Sequence, residues 1–210
     1  MKITIIISDK THKIFPYLEK WKLKNSKKHV ISLVTKSKDI KNGDFLFLIA
    51  CTEMINLKIR SKFKHTLLIH ESNLPKGRGW SPLIWDILNG KNKIHISLLE
   101  AEDKVDSGKI WKKESFNFEG NEIFDEINSR IFPICIHLID FAIKNYKTIL
   151  PKPQKGKPIY YPKRTPINSE ISINKSIKSQ FNQIRIADTE RYPCFFNYKG
   201  FKYKITITKM

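Results

Sequence analysis

Four short apolar runs within the first seventy residues limit what this chain can fold into. They are Ile3–Ser8, His29–Val34, Phe45–Ala50 and Thr66–Ile69. The first alternates little and is β-branched, as expected of a strand covered on both faces. Between the first two runs, His12–Lys24 carries Ile14, Phe15, Leu18, Trp21 and Leu23 at near-helical spacing, the mark of a crossover helix. Lys41-Asn42-Gly43-Asp44 is a turn signal, and Ile55–Phe63 reads as a short helix or an irregular connector. The order β-α-β-β-(α)-β predicts an α/β fold with a mostly parallel, Rossmann-like sheet. No GxGxxG follows the first run, so the sequence does not indicate a dinucleotide.

Further along, Pro82–Leu88 is helical in pattern, with Ile84, Ile87 and Leu88 expected inward and Gly90 as C-cap. Ile94–Leu99 and Lys109–Lys112 read as strands. The longest helix is expected over 122–146, with Pro133 kinking or dividing it because proline removes a backbone donor. Residues 1–150 thus form a first domain. Residues 151–166 read as a Pro-rich basic linker. Residues 167–210 form a small helix-plus-hairpin unit, its helix capped by Asn174 and its strands starting at Tyr192 and Phe201. So few elements bury little apolar area alone, which predicts docking on the first domain or on a second copy.

With 40% hydrophobic residues and 11% aromatics, the composition fits a folded globular chain. No apolar run approaches the roughly 20 residues that span a bilayer, and the first run is too soon followed by charge to be a signal peptide. The expectation is a cytoplasmic protein with no membrane partner. Cys51, Cys135 and Cys194 are far apart and show no CxxC spacing, so neither a zinc site nor a disulfide frame is indicated. The net charge of +19 would suit a nucleic-acid binder if it were clustered. Here the lysines are spread along the whole chain, so a nucleic-acid partner is not expected and the charge reads as a solvated basic surface, with attraction for some anionic substrate as the alternative.

The chemistry concentrates in Thr66–Gly108. The fourth run delivers His70 at its end, a glycine-punctuated loop Lys76-Gly77-Arg78-Gly79-Trp80-Ser81-Pro82 follows, and Asp106-Ser107-Gly108 closes the block 36 positions after the histidine (106 minus 70). Histidine moves protons near neutral pH, and a carboxylate beside it would fix its tautomer and raise its basicity. Spacing alone also allows a structural histidine and a turn aspartate. No serine elbow is present, so a hydrolase triad is weakly supported.

Residues 66–110 resemble the signature region of the folate-dependent formyltransferases, the family of methionyl-tRNA, glycinamide ribonucleotide and sugar-nucleotide N-formyltransferases. That family shows Asn-x-His at a strand end, Ser-Leu-Leu-Pro, an Arg-Gly loop, a helix and a later Asp-x-Gly. This chain has Leu68-Ile69-His70, Ser72-Asn73-Leu74-Pro75, Arg78-Gly79, Pro82 and Asp106-Ser107-Gly108. Lys163-Arg164-Thr165-Pro166, Phe181–Ile186 and Tyr192-Pro193 before a hairpin resemble the segment after the catalytic domain in sugar N-formyltransferases.

The resemblance implies formyl transfer from N10-formyltetrahydrofolate to an amine, with no metal. His70 would take the amine's proton and Asp106 would orient it. Cys51 and Thr52 after the third strand, with the loop Leu99, Glu100, Ala101 and Glu102 before Asp106, would hold the pterin. One position departs: the family's asparagine is Leu68 here, and Asn73 is the expected substitute donor. The implied acceptor is a nucleotide-linked amino sugar of the 4-amino-4,6-dideoxy type. Lys76 and Arg78 would meet its pyrophosphate and Trp80 would stack on sugar or base. The hairpin unit is a natural homodimer contact. Formylation of another amine (glycinamide ribonucleotide or aminoacyl-tRNA), a folate-binding protein without catalysis, and a non-catalytic basic nucleic-acid-binding module remain as alternatives.

Overall fold

Six strands form the central sheet in the order β2-β1-β3-β4-β6-β7. The computed structural model describes residues 1–210. Chain order runs β1 (Lys2–Ile6), α1 (Phe15–Asn25), β2 (Val30–Val34), β3 (Gly43–Leu48), α2 (Leu57–Arg60), β4 (Phe63–His70), β5 (Lys76–Gly79), α3 (Pro82–Leu88), β6 (Lys93–Glu100), β7 (Ile110–Asn117), α4 (Phe124–Asn145), β8 (Ile159–Tyr161), α5 (Ile177–Arg185), β9 (Cys194–Tyr198) and β10 (Phe201–Ile205). The β2–β1, β1–β3 and β3–β4 pairs are parallel, whereas β4–β6 and β6–β7 are antiparallel. β6 alone is reversed, so the sheet is mostly parallel, as the run pattern predicts.

One face of this sheet carries Ile3, Ile5, Phe45, Phe47, Leu67, Ile69 and Leu98. These pack on Leu18 and Trp21 of α1 and Ile127, Ile131, Leu138 and Ile139 of α4 in the main core. Burial at about 25 cal/mol per Å² of apolar surface is the dominant favourable term there. Trp21 Nε1 also donates to Asp140 at 2.7 Å, tying α1 to α4. A smaller cluster of Ile6, Ile40, Leu46, Ile55 and Phe63 lies apart from the main core, with Ile6 and Leu46 alternating with Ile5 and Phe47 and so facing the other side of β1 and β3.

Several expectations are corrected by the fold. Leu23 is 75% exposed, because Ile14, Leu18 and Trp21 already form the i, i+4, i+7 face and Leu23 falls off it. In α3 the buried apolar residues are Leu83 and Ile87, with Ile84 half-buried. α4 runs unbroken through Pro133, which lies on its exposed side. His137 is exposed on α4. His65 is half-buried, 5.0 Å from the Phe45 ring and edge-on to Trp111 and Tyr146. The α5 cap is Ser176, whose side chain accepts from Ser179 N–H at 3.2 Å, and β9 starts at Cys194 rather than Tyr192.

The largest revision concerns residues 151–166. They do not hang between domains. Lys152 exchanges backbone hydrogen bonds with Ile110 (2.8 and 2.9 Å), and β8 pairs in parallel with β5. Trp85 Nε1 donates to the Pro162 carbonyl at 2.9 Å. Tyr161 OH reaches the buried Asp86 carboxylate at 2.7 Å, which also takes Lys91 Nζ at 2.7 Å. The C-terminal unit docks on the first domain through Ile186, a member of the main core, and through Arg185, whose Nη1 donates to the Glu122 carbonyl at 3.2 Å.

Candidate active site

β4 ends on His70, 6% exposed. Its Nε2 lies 2.7 Å from the Gly77 carbonyl oxygen, and a carbonyl can only accept, so Nε2 carries the hydrogen and Nδ1 holds the lone pair of the neutral ring. The Asp106 Oδ2 stands 3.5 Å from the same Nε2 and accepts the Gly79 N–H at 2.8 Å. The sequence-predicted pair is therefore together in space. Both partners reach it from the 76–80 loop, which supplies an acceptor to the histidine and a donor to the aspartate.

Two glycines make this approach possible. Gly79 has φ +97°, and a Cβ there would sit 2.6 Å from the Tyr161 carbonyl oxygen. A Cβ on Gly108 would collide with the Glu100 carbonyl, which explains why an Asp-Ser-Gly turn can press against the end of β6. Asp106 itself holds φ +50°, a left-handed conformation that a non-glycine residue keeps only with outside support.

Leu68 pairs with Leu48 of β3 on one side and Leu99 of β6 on the other. The three make a row across the sheet, on the face that carries His70 two residues later. Leu48 and Leu68 are half-buried and Leu99 fully buried. The position two before the histidine is thus part of an apolar floor. Cys51 and Thr52 follow β3 at the same end of the sheet. Cys51 is half-buried, burial pushing its thiol up, and the Thr52 N–H donates to Ser8 Oγ at 2.8 Å.

Other sequence-predicted residues fall elsewhere. Asn73 is exposed, its amide oxygen taking Lys113 Nζ at 2.9 Å. That contact ties it to β7, and no contact to His70 or Asp106 supports its substituting for the missing asparagine. Arg78 is 7% exposed, its guanidinium held by Gln154 Oε1 (3.2 and 2.7 Å) and the Tyr160 hydroxyl (3.2 Å). A buried guanidinium bonded at each of its three nitrogens braces the loop, and its burial leaves little of it to meet a pyrophosphate. Lys76 is exposed and Trp80 is 41% exposed, with Lys163 Nζ 5.0 Å from the Trp80 ring. Leu99 and Glu100 belong to β6 rather than to a loop. The Glu100 carboxylate takes Trp111 Nε1 at 3.2 Å, the Ala101 N–H donates to the Thr66 carbonyl at 2.9 Å, and Glu102 is exposed.

Three site residues were missed by sequence reasoning. Glu71, next to His70, has its carboxyl held above the ordinary range by burial, against the pull of His70. Lys113 donates to the Leu74 carbonyl at 2.6 Å and stitches the 71–75 turn to β7, burial pushing its ammonium down. Gln154 bonds both Arg78 and the Asp106 turn. Only the adjacency of Glu71 was visible in the sequence. The other two come from remote segments.

No family model matches the chain. Among curated proteins it is 25% identical over 173 residues to a methionyl-tRNA formyltransferase of Thermodesulfovibrio yellowstonii, covering 80% of this chain and 56% of that protein. It is 28% identical over 174 residues to human mitochondrial 10-formyltetrahydrofolate dehydrogenase, covering 80% of this chain and 18% of that one. The chain thus spans about half, or less, of the curated relatives it matches. Among solved structures, a methionyl-tRNA formyltransferase from Clostridium thermocellum superposes with a TM-score of 0.86 at 24% identity, over 100% of this chain and 93% of that one. A sugar N-formyltransferase from Shewanella gives 0.75 at 11% identity, over 100% and 98%. The structural likenesses show the shared fold, and the sequence relatives support kinship with the folate-dependent formyltransferases.

Proposed function

We propose, from the premise that this chain is a relative of the folate-dependent formyltransferases, that it transfers a formyl group from N10-formyltetrahydrofolate to a primary amine. The observation that carries the reading is the His70–Asp106 constellation, with Nε2 fixed by Gly77 and faced by Asp106 at 3.5 Å. The folate supplies an activated formyl group. The amine nitrogen bonds to the formyl carbon, the bond from that carbon to N10 breaks, and the proton shed by the amine ends on N10. His70 Nδ1, with its lone pair free, accepts that proton, and Asp106 stabilises the imidazolium through Nε2. The half-buried Leu48 and Leu68 suit a flat heteroaromatic ring, flanked by Cys51 and Thr52 on one side and by the 101–109 loop on the other.

The acceptor we favour is an amino sugar carried on a nucleotide. Exposed Lys76, Trp80 and Lys163 at the mouth of the loop provide a stacking surface and cations for a phosphate-bearing carrier. An aminoacyl-tRNA is the second reading, favoured by the sequence relatives. Incubation with N10-formyltetrahydrofolate and a panel of nucleotide-linked 4-amino sugars, glycinamide ribonucleotide and charged initiator tRNA tests both, read by mass. One formyl gained on an amino-sugar nucleotide is the expected result. A gain only on tRNA replaces the acceptor, and no gain on any member removes the transfer reading.

We further place the reaction in the cytoplasm, carried out by a homodimer. No helix is long and apolar enough to cross a membrane, and Tyr198, Phe201 and Tyr203 are 47%, 68% and 44% exposed on one face of the β9–β10 hairpin. Sedimentation of a monomer at micromolar concentration would exclude the dimer.

A further inference from the structure

We propose that Gln154 is a positioning residue for the His70–Asp106 pair, clamping the 76–80 loop to the 106–108 turn; its effect on catalysis rests on the function proposed above. Gln154 Nε2 donates to the Asp106 carbonyl at 2.8 Å and to the Gly108 carbonyl at 2.9 Å. Its Oε1 accepts from Arg78 Nη2 at 2.7 Å and Nε at 3.2 Å. Arg78 lies between Gly77, whose carbonyl takes His70 Nε2, and Gly79, whose N–H holds the Asp106 carboxylate. The contacts close a ring: His70 to Gly77, along the loop to Arg78, to Gln154, to Asp106, and back to His70.

A primary amide is the side chain this place requires. It offers two donors and an acceptor in one plane, and all are used here. The acceptor end meets a cation, the stronger kind of hydrogen bond. The donor end holds the carbonyl of a residue whose φ of +50° needs support. The segment bearing Gln154 is itself anchored on both sides, by the Lys152–Ile110 bridge before it and by β8 on β5 after it. What reads in sequence as a linker therefore reaches the reacting pair through one amide.

The test uses the full chain with Gln154→Ala and Gln154→Glu. Glutamate keeps the length and the acceptor for Arg78 but has no donor for the turn. Expected is a fall in kcat of about 10²-fold in both variants, the scale of a roughly 1 Å misplacement, with KM for donor and acceptor unchanged. Wild-type kcat in either variant overturns the proposal, as does a rise in KM that accounts for the whole loss of kcat/KM. A second readout needs no substrate: the ring N–H signal of His70 in nitrogen–proton NMR spectra, protected by Gly77 in the wild type and exchanging faster in both variants. Should the wild type transfer no formyl group, the function reading fails, while unchanged His70 protection in both variants separately overturns the clamp.

Discussion

The carboxylate of Asp106 accepts the backbone N–H of Gly79 at 2.8 Å. Through this bond the Asp-Ser-Gly turn and the glycine loop, distant in the chain, become one wall, and the carboxylate is aimed at His70 Nε2 rather than at solvent.

Removing either member of the pair should cost the rate typical of general acid–base groups, roughly 10²–10⁴-fold. His70→Ala and Asp106→Asn are the variants, with formyl transfer read by mass and the fold checked by circular dichroism. Near-full turnover in a folded His70→Ala protein would end the assignment.

Gly79→Ala should harm both stability and activity. The new Cβ would stand 2.6 Å from the Tyr161 carbonyl oxygen at a φ of +97°, and alanine at positive φ costs about 1 kcal/mol or more before any clash. A lowered urea midpoint accompanied by a loss of kcat is expected. An unchanged midpoint would show that β5 and β8 separate without penalty.

Leu68→Asn places an amide on the leucine row two residues before His70. A single donor to a developing oxyanion is worth about 10²–10³ in kcat, so turnover should rise if the wild type lacks such a donor. Asn73→Ala should leave turnover nearly unchanged, because that amide is engaged by Lys113. A large loss in Asn73→Ala, with no gain in Leu68→Asn, would instead assign the donor to Asn73.

His12 should make stability pH-dependent. Burial holds its imidazole at about 4, with Arg191 acting the same way and Asp9 and Asp188 opposing, and the Ile14 N–H donates to its Nδ1 at 3.3 Å. Between that value and about 6.5 the unfolded chain binds a proton that the folded chain refuses. The stabilisation is therefore complete above about pH 6.5 and declines as the pH falls towards 4. Urea midpoints across this window should slope in the wild type and flatten in His12→Asn. Parallel slopes would assign the dependence to other groups.

Strand and helix positions were legible where the apolar period was long: β1, β3 and α3 lie close to the expected ranges, and the mostly parallel sheet followed from their order. β5 and β8 were not legible, since Lys76-Gly77-Arg78-Gly79 and Ile159-Tyr160-Tyr161 carry no alternation and become strands only by pairing with each other. The same distinction runs through the site. Local patterning determined by itself that a histidine ends a buried strand and that an Asp-Ser-Gly turn follows, because strand ends and tight turns depend on near neighbours. Only the tertiary structure decided that Arg78 is a brace, that Asn73 serves Lys113, and that Gln154 joins the two halves. These roles depend on polar groups 40, 48 and 76 positions apart finding each other, and hydrogen-bond partners at that range are set by how the sheet folds, not by the residues beside them.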